Sequence, residues 1–190
     1  MKTVFNIIIA IWLLFYNCIY CSSKDKSQLS DKYIIVLDMQ EFYTTKHFTD
    51  SSILSQINSM NYLIENSDPD KVIYVISIAK VLYVSLKGIK VDTVSTPDID
   101  KRVKQVNNNV FVKNKGDAFS SEDLAGFLKN HEARKFIVVG LAAERCVYKT
   151  ILGGKKLGHE MYTVPEAIIG MTPEGKEKAI KKLTKKGIIL

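Results

Sequence analysis

Apolar residues along the chain fall into two alternating patterns. Lys32–Asp38 (KYIIVLD), Lys71–Ile78 (KVIYVISI) and Lys135–Val139 (KFIVV) are continuous β-branched runs, the pattern of strands buried on both faces. Between them, Ser51–Asn66 carries Ile53, Leu54, Ile57, Met60, Leu63 and Ile64 at helical spacing, and Asp68-Pro69-Asp70 ends it. Ser120-Ser121-Glu122-Asp123 opens a helix running to about Asn130, with a capping hydroxyl and first-turn carboxylates. Glu144–Leu157 reads as a helix ending at Gly158. A last helix starts at Thr172-Pro173-Glu174 and ends near Gly187. Val110–Val112, Glu160–Val164 and Ile188–Leu190 read as shorter strands, and Asn107–Asn109 as a turn. Pro97–Val106 reads as a short helix, and Val81–Ser95 is ambiguous, with an extended form admitted. The alternation predicts a layered α/β fold around a mainly parallel sheet.

The first residues break this pattern. Met1-Lys2 is basic, Val4 to Tyr20 is almost wholly apolar, and Cys21-Ser22-Ser23 brings small residues before Lys24-Asp25-Lys26. This is the layout of a secretory signal peptide over 1–23, followed by a polar linker over 24–31 and a folded domain over 32–190. The apolar run is shorter than the about 20 residues wanted for a membrane span. Lipid attachment at Cys21 and an uncleaved anchor are the alternatives, and any membrane contact is expected only through this segment. The expected location is therefore exported: periplasmic, extracellular or membrane-tethered.

Composition changes little. The chain has 190 residues, 46% hydrophobic and 25% charged, which suits one globular domain and excludes collagen, coiled coil and wholesale disorder. Its 27 Lys+Arg against 20 Asp+Glu give +7, a moderate excess that permits anionic contacts without demonstrating them. The lysines of the last helix (176, 178, 181, 182, 185, 186) read as a solvated basic face, with Ala179, Ile180 and Leu183 for the core. No nucleic-acid partner is expected. Gly153-Gly154-Lys155-Lys156 lies inside a helical stretch and lacks phosphate-loop spacing.

Cysteine usage matters more. Cleavage after Ser23 leaves Cys146 as the one thiol, so no disulfide framework holds the fold. Sites in open parallel sheets gather at the carboxyl ends of strands. That rule selects Asp38 after the first strand, Lys113 after Val110–Val112, and Cys146 in the turn beyond Gly140. A helix N-terminus and a lysine both favour a thiolate. A carboxylate in reach can take the thiol proton and return it to a leaving group. The Gly140–Ala143 turn can aim backbone N–H groups at an oxyanion. Each residue also has an ordinary structural reading: Asp38 as a turn cap or lysine partner, Lys113 as solvated with Lys115 as competitor, and Cys146 as core.

The same residues carry a family resemblance. Asp38-Met39-Gln40-Glu41-Phe42-Tyr43 resembles the Asp-x-Gln-x-x-Phe opening of the isochorismatase-like cysteine hydrolases, with Tyr43 at the Phe position. Lys113 through Ala118-Phe119 resembles their Lys…(Ser/Asp)-Ala-Phe segment, an offset that favours Lys113 over Lys115. Gly140 to Val147, with Thr150, is similar to their Gly-x-x-x-(Glu/Asp)-x-Cys-Val-x-x-Thr motif, and Glu166-Ala167 stands where Asp-Ala is usual. The resemblance implies a three-layer α-β-α fold and an Asp38-Lys113-Cys146 triad. It also implies a cis peptide between Leu141 and Ala142 that helps aim the amides of Ala142 and Cys146. The implied activity is hydrolysis of a small amide or related C–N compound through a Cys146 thioester.

Phe42, Tyr43 and Phe119 flank the triad and are candidate pocket residues. The substrate is expected to be a small molecule, and a homo-oligomer is admitted because the family often assembles. Nicotinamidases of the family carry an Asp-x-His metal site beside the second strand. Here that region reads Ser77-Ile78-Ala79-Lys80-Val81-Leu82, and His47, His131 and His159 show no ligand spacing. No metal and no cofactor are expected. The competing functions are a cysteine-independent vinyl-ether hydrolase and a non-catalytic small-molecule binding or interaction protein of the same fold.

Overall fold

The structure, a computed structural model, describes residues 28–78, 80–93 and 97–190. The expected leader and residues 24–27 of the expected linker lie outside them. Residues 28–31 are part of the packed body: Leu29 is buried in the core, and its carbonyl accepts from the Lys32 N–H at 3.1 Å. Among the described residues no helix is long and apolar enough to cross a membrane.

One parallel sheet organises the chain. Strands β1 (Tyr33–Leu37), β2 (Val72–Ser77), β5 (Val110–Lys113), β6 (Lys135–Leu141) and β7 (Glu160–Tyr162) lie in the order β5-β2-β1-β6-β7. A short β8 (Ile168–Ile169) pairs with the end of β6, and Ile189 bridges Thr163 at the closing edge. The two-residue period of a strand sends alternate side chains to opposite faces. Ile34 and Val36, Val72 and Tyr74, and Ile137 and Val139 pack on one side. Ile35 and Leu37, Ile73 and Val75, and Phe136 and Val138 pack on the other. This double burial explains why these strands read as unbroken apolar runs.

Helices cover both faces. Helix α2 (Asp50–Glu65) lays Ile53, Ile57, Met60, Leu63 and Ile64 on the first face. Helices α3 (Glu122–Asn130), α4 (Tyr148–Lys156) and α5 (Pro173–Thr184) cover the second with Leu124, Leu128, Ile151, Ala179 and Leu183. The Ser121 and Thr172 hydroxyls cap α3 and α5, accepting from Leu124 N and Gly175 N. Gly153 and Gly154 sit inside α4, where an added side chain would meet Asp117 and Met161. Their smallness lets that helix pack closely.

One local expectation is corrected, and two stretches that the residue pattern leaves open are defined. Glu41–His47 forms a helix, α1, that the residue pattern leaves unmarked. Of the ambiguous Val81–Ser95 stretch, residues 81–93 take the extended form, in an antiparallel hairpin of β3 (Lys80–Ser85) and β4 (Gly88–Thr93), and residues 94 and 95 lie outside the described residues. Residues 97–106 contain no helix, because their backbone groups bond elsewhere. Asp100 N donates to Met39 O at 2.9 Å and Glu41 N to Asp98 O at 3.0 Å, while Asn61 holds Arg102 O and Lys104 N, each at 2.8 Å. This loop straps the turn that follows β1.

Candidate active site

The chain runs from β1 outward to β2 and β5 on one side and to β6 and β7 on the other. The crevice beyond the carboxyl ends of β1 and β6 is therefore the topological switch point, where ligands of such sheets bind. Four strand ends deliver polar side chains there: Asp38 after β1, Ser77 on β2, Lys113 on β5, and Cys146 beyond β6.

Register decides which of them meet. Ser77 stands directly opposite Lys113, so the Lys113 ammonium donates to Ser77 Oγ at 2.6 Å. Ser77 Oγ in turn donates to Asp38 Oδ1 at 2.7 Å. Lys113 Nζ also lies 2.8 Å from Asp38 Oδ2 and 3.6 Å from Cys146 Sγ. Lys113 is 2% exposed and Asp38 5%. An isolated ammonium at that depth would be very costly; here it faces a carboxylate, a hydroxyl and a thiol.

The backbone around the trio is unusual. Asp38 has φ of 52°, the left-handed region, and its N–H donates to Val75 O at 2.8 Å. Gly140 has φ of 108°, and a Cβ there would lie 2.2 Å from the Leu37 carbonyl oxygen. Only glycine lets β1 and β6 close at the crevice. The peptide between Leu141 and Ala142 is cis. Cys146 then lies in a π-helical turn, Ala143–Val147, ahead of α4.

The thiol is not in an anion-stabilising setting. Burial pushes its pKa up to about 11, and the Asp38 charge adds to this against the opposing pull of Lys113. The sequence reading expects lysine and a helix terminus to favour a thiolate. In the fold, Lys113 is paired with Asp38, and the thiol is half-buried ahead of the α-helix proper. The resting form is therefore the protonated thiol beside a carboxylate.

A cavity of about 190 Å³ opens on Cys146, lined by Asp38, Tyr43, Ser77, Leu141, Ala142 and Met171, with His47 and Arg145. Of the candidate pocket residues, Tyr43 lines this cavity, and so do Leu141 and Ala142 of the cis peptide. Phe42 does not line the cavity; it stands edge-on to Tyr43 at 5.2 Å. Phe119 is turned away into the second core, stacked on His159 at 5.3 Å and edge-on to Phe136 at 5.6 Å. The cause is a 3-10 turn, Ala118–Ser120, whose amides are held by Thr150 Oγ1 and Asp117.

Sequence reasoning assigns no role to Ser77, Gln40 or Glu144. Gln40 is fully buried, and its amide pairs with the Ser77 backbone through both its oxygen (2.8 Å) and its nitrogen (3.0 Å). Glu144 Oε1 accepts from Met171 N at 2.9 Å, tying the nucleophile turn to the cavity wall. The strand-end rule that selects Asp38 and Lys113 also points to Ser77. Among the described residues no cluster of His, Cys, Asp or Glu could hold a metal ion. Asp38 and Ser77 already serve Lys113, so this donor set does not fit a metal.

Residues 32–190 match the profile of the family described as Isochorismatase domain. No curated protein matches the chain in sequence. Among solved structures, an isochorismatase-like hydrolase from Alkaliphilus metalliredigens superposes with a TM-score of 0.66 at 16% identity, over 84% of this chain and 94% of that one. A zinc-complexed pyrazinamidase of Pyrococcus horikoshii gives 0.59 at 20% identity, over 84% and 98%. The octameric YcaC hydrolase of Escherichia coli gives 0.63 at 15%, over 84% and 74%. These likenesses establish a shared α/β fold. The profile match, which spans the whole parallel sheet and the helices packed on it, establishes descent: this chain belongs to the isochorismatase-like hydrolase family.

Proposed function

We propose that this protein is a cysteine hydrolase that cleaves a small amide or related C–N compound at Cys146. The observation that carries the reading is Lys113 Nζ held 2.8 Å from Asp38 and 3.6 Å from the Cys146 sulfur. The pyrazinamidase among the structural relatives is consistent with amide chemistry. The cavity of about 190 Å³ is smaller than the about 300–1,000 Å³ of drug-sized sites, which suits a short acyl group.

The chemistry follows from the resting protonation. As Cys146 Sγ attacks the amide carbon, its proton passes to Asp38, and the N–H groups of Ala142 and Cys146 receive the developing oxyanion. Collapse breaks the C–N bond, and Asp38 returns the proton to the leaving nitrogen. Water then attacks the Cys146 thioester while Asp38 takes a proton from it. The acid leaves, and the thiol recovers its proton. Lys113 holds Asp38 in place through their ion pair, and Ser77 locks that pair.

The test is incubation with short primary amides, reading ammonia release together with the intact mass of the protein. Ammonia with an acyl adduct on Cys146, both lost in Cys146→Ala, is the expected result. Turnover of a vinyl ether that survives Cys146→Ala would replace this reading with cysteine-independent hydrolysis. Absence of both, with the substrate bound, would leave a binding protein. We further propose that the chain is exported by its first 23 residues. Residues 21–26 suit cleavage after Ser23, and a mature N-terminus at Lys24 in the exported fraction is the expected outcome. The octameric relative makes an assembly of this chain worth measuring by light scattering.

A further inference from the structure

The cavity holds a charge that the proposed hydrolysis does not use. Arg145, directly before the nucleophile, lines the cavity wall together with Cys146. Its side chain is exposed at the opening. Among the described residues its guanidinium has neither an ion pair nor a hydrogen bond. Of the carboxylates nearby, Asp38 is paired with Lys113 at 2.8 Å, and Glu144, which is not part of the cavity lining, accepts from the Met171 N–H at 2.9 Å through Oε1 while its buried Oε2 has no hydrogen-bond partner among the described residues. Asp38 and Lys113 cancel in charge, so among the residues lining the cavity Arg145 sets its sign. The remaining walls, Tyr43, Leu141, Ala142 and Met171, carry no charge.

We infer that Arg145 is a specificity-determining residue that selects a small amide bearing a carboxylate, such as the monoamide of a short dicarboxylic acid. The inference rests on the hydrolase reading above and names its substrate class. A guanidinium presents a planar fork that matches a carboxylate with two parallel N–H···O bonds. Arg145 and Cys146 line the same cavity of about 190 Å³, so one small substrate can engage the guanidinium and the sulfur together. A charged bond of this kind is worth on the order of tenfold to a hundredfold in affinity.

The test separates the anion site from catalysis. Cys146 is alkylated with iodoacetate and, separately, with iodoacetamide, in the wild type, Arg145→Gln and Arg145→Lys, at low and high salt. The ratio of the two rates cancels the thiolate fraction and reports only the preference for an anion. The expected result is a ratio that falls about tenfold in Arg145→Gln, is partly retained in Arg145→Lys, and shrinks with salt in the wild type. Equal ratios in wild type and Arg145→Gln overturn the anion site whether or not amides turn over. In parallel, kcat/KM is compared for succinamate and for butanamide. A wild-type preference for succinamate that collapses in Arg145→Gln supports the assignment, and no preference overturns it. If neither amide reacts while the alkylation ratio still depends on Arg145, the anion site stands and the hydrolase reading falls.

Discussion

The Gln40 side chain completes the β-ladder that β1 leaves open, bonding the Ser77 backbone with both its oxygen (2.8 Å) and its nitrogen (3.0 Å). The chain leaves the sheet at Asp38 in a left-handed conformation. Without Gln40, the Ser77 N–H and C=O at the end of β2 would lose this partner at a half-buried site. Ser77 is also the residue whose hydroxyl joins Asp38 to Lys113. One amide thus supports the fold and the charge pair together.

Gln40→Ala is therefore expected to destabilise the protein by about 2–4 kcal/mol, as half-buried backbone groups lose a partner and a void opens where the fully buried Gln40 side chain stood. Denaturant unfolding measures the loss. Amide turnover should fall as well, with Ser77 no longer fixed. Ser77→Ala should lower kcat while costing less stability, since it removes the hydroxyl and leaves the ladder intact.

Alkylation of Cys146 against pH tests the electrostatics. Half-maximal reaction is expected near the thiol's pKa of about 11, above the free-thiol value. Asp38→Asn removes a charge that raises this value and leaves Lys113 uncompensated, so the profile moves down. Lys113→Met does the opposite. A wild-type profile well below about 8.5 would contradict the protonated resting state.

The strap over the site has its own pH dependence. Asp100 is buried and accepts from Arg102 Nε at 2.9 Å and from Thr44, and its pKa is held down to about 2 from 3.8. Burial works against ionisation here, and the hydrogen bonds from Arg102 and Thr44, with the Arg102 charge, together outweigh it. A depressed folded-state value gives stability that is full above about 3.8 and lost as pH falls through about 2. At about 1.4 kcal/mol per unit the contribution is about 2 kcal/mol. Unfolding at pH 7, 4 and 2 should show that loss, and Asp100→Asn should remove it.

Gly140→Ala should be among the most damaging single changes. Its Cβ would sit 2.2 Å from Leu37 O in a backbone conformation that L residues rarely adopt. Neither atom belongs to a flexible side chain, so β1 and β6 must part. The expected outcome is a loss of about 3 kcal/mol or more by denaturant unfolding.

The two aromatic positions are separable. Tyr43 lines the cavity, whereas Phe119 packs on Phe136 and His159. Tyr43→Leu should change KM with modest loss of stability. Phe119→Leu should lower the unfolding midpoint and leave KM unaltered.

Sequence alone determined the strands, because a strand buried on both faces must be apolar throughout, as in Ile34–Leu37 and Val72–Ile76. It determined α2, α3 and α5 through the spacing of their buried residues and the caps at Ser121 and Thr172. Asp38 and Cys146 were legible because each follows a strand of that pattern, and Lys113 because it ends the short Val110–Val112 run. Tertiary structure alone decided the rest. Residues 97–106 are irregular since distant groups, Met39 O and Asn61 among them, take their hydrogen bonds. Ser77 joins the site because register sets it against Lys113. Phe119 leaves it because Thr150 fixes the turn before it. The Cys146 thiol stays protonated because desolvation and Asp38 outweigh Lys113. Periodicity is a local property that a sequence carries openly. Register, burial and the balance of charges are sums over residues far apart in the chain, and they exist only once the chain has folded.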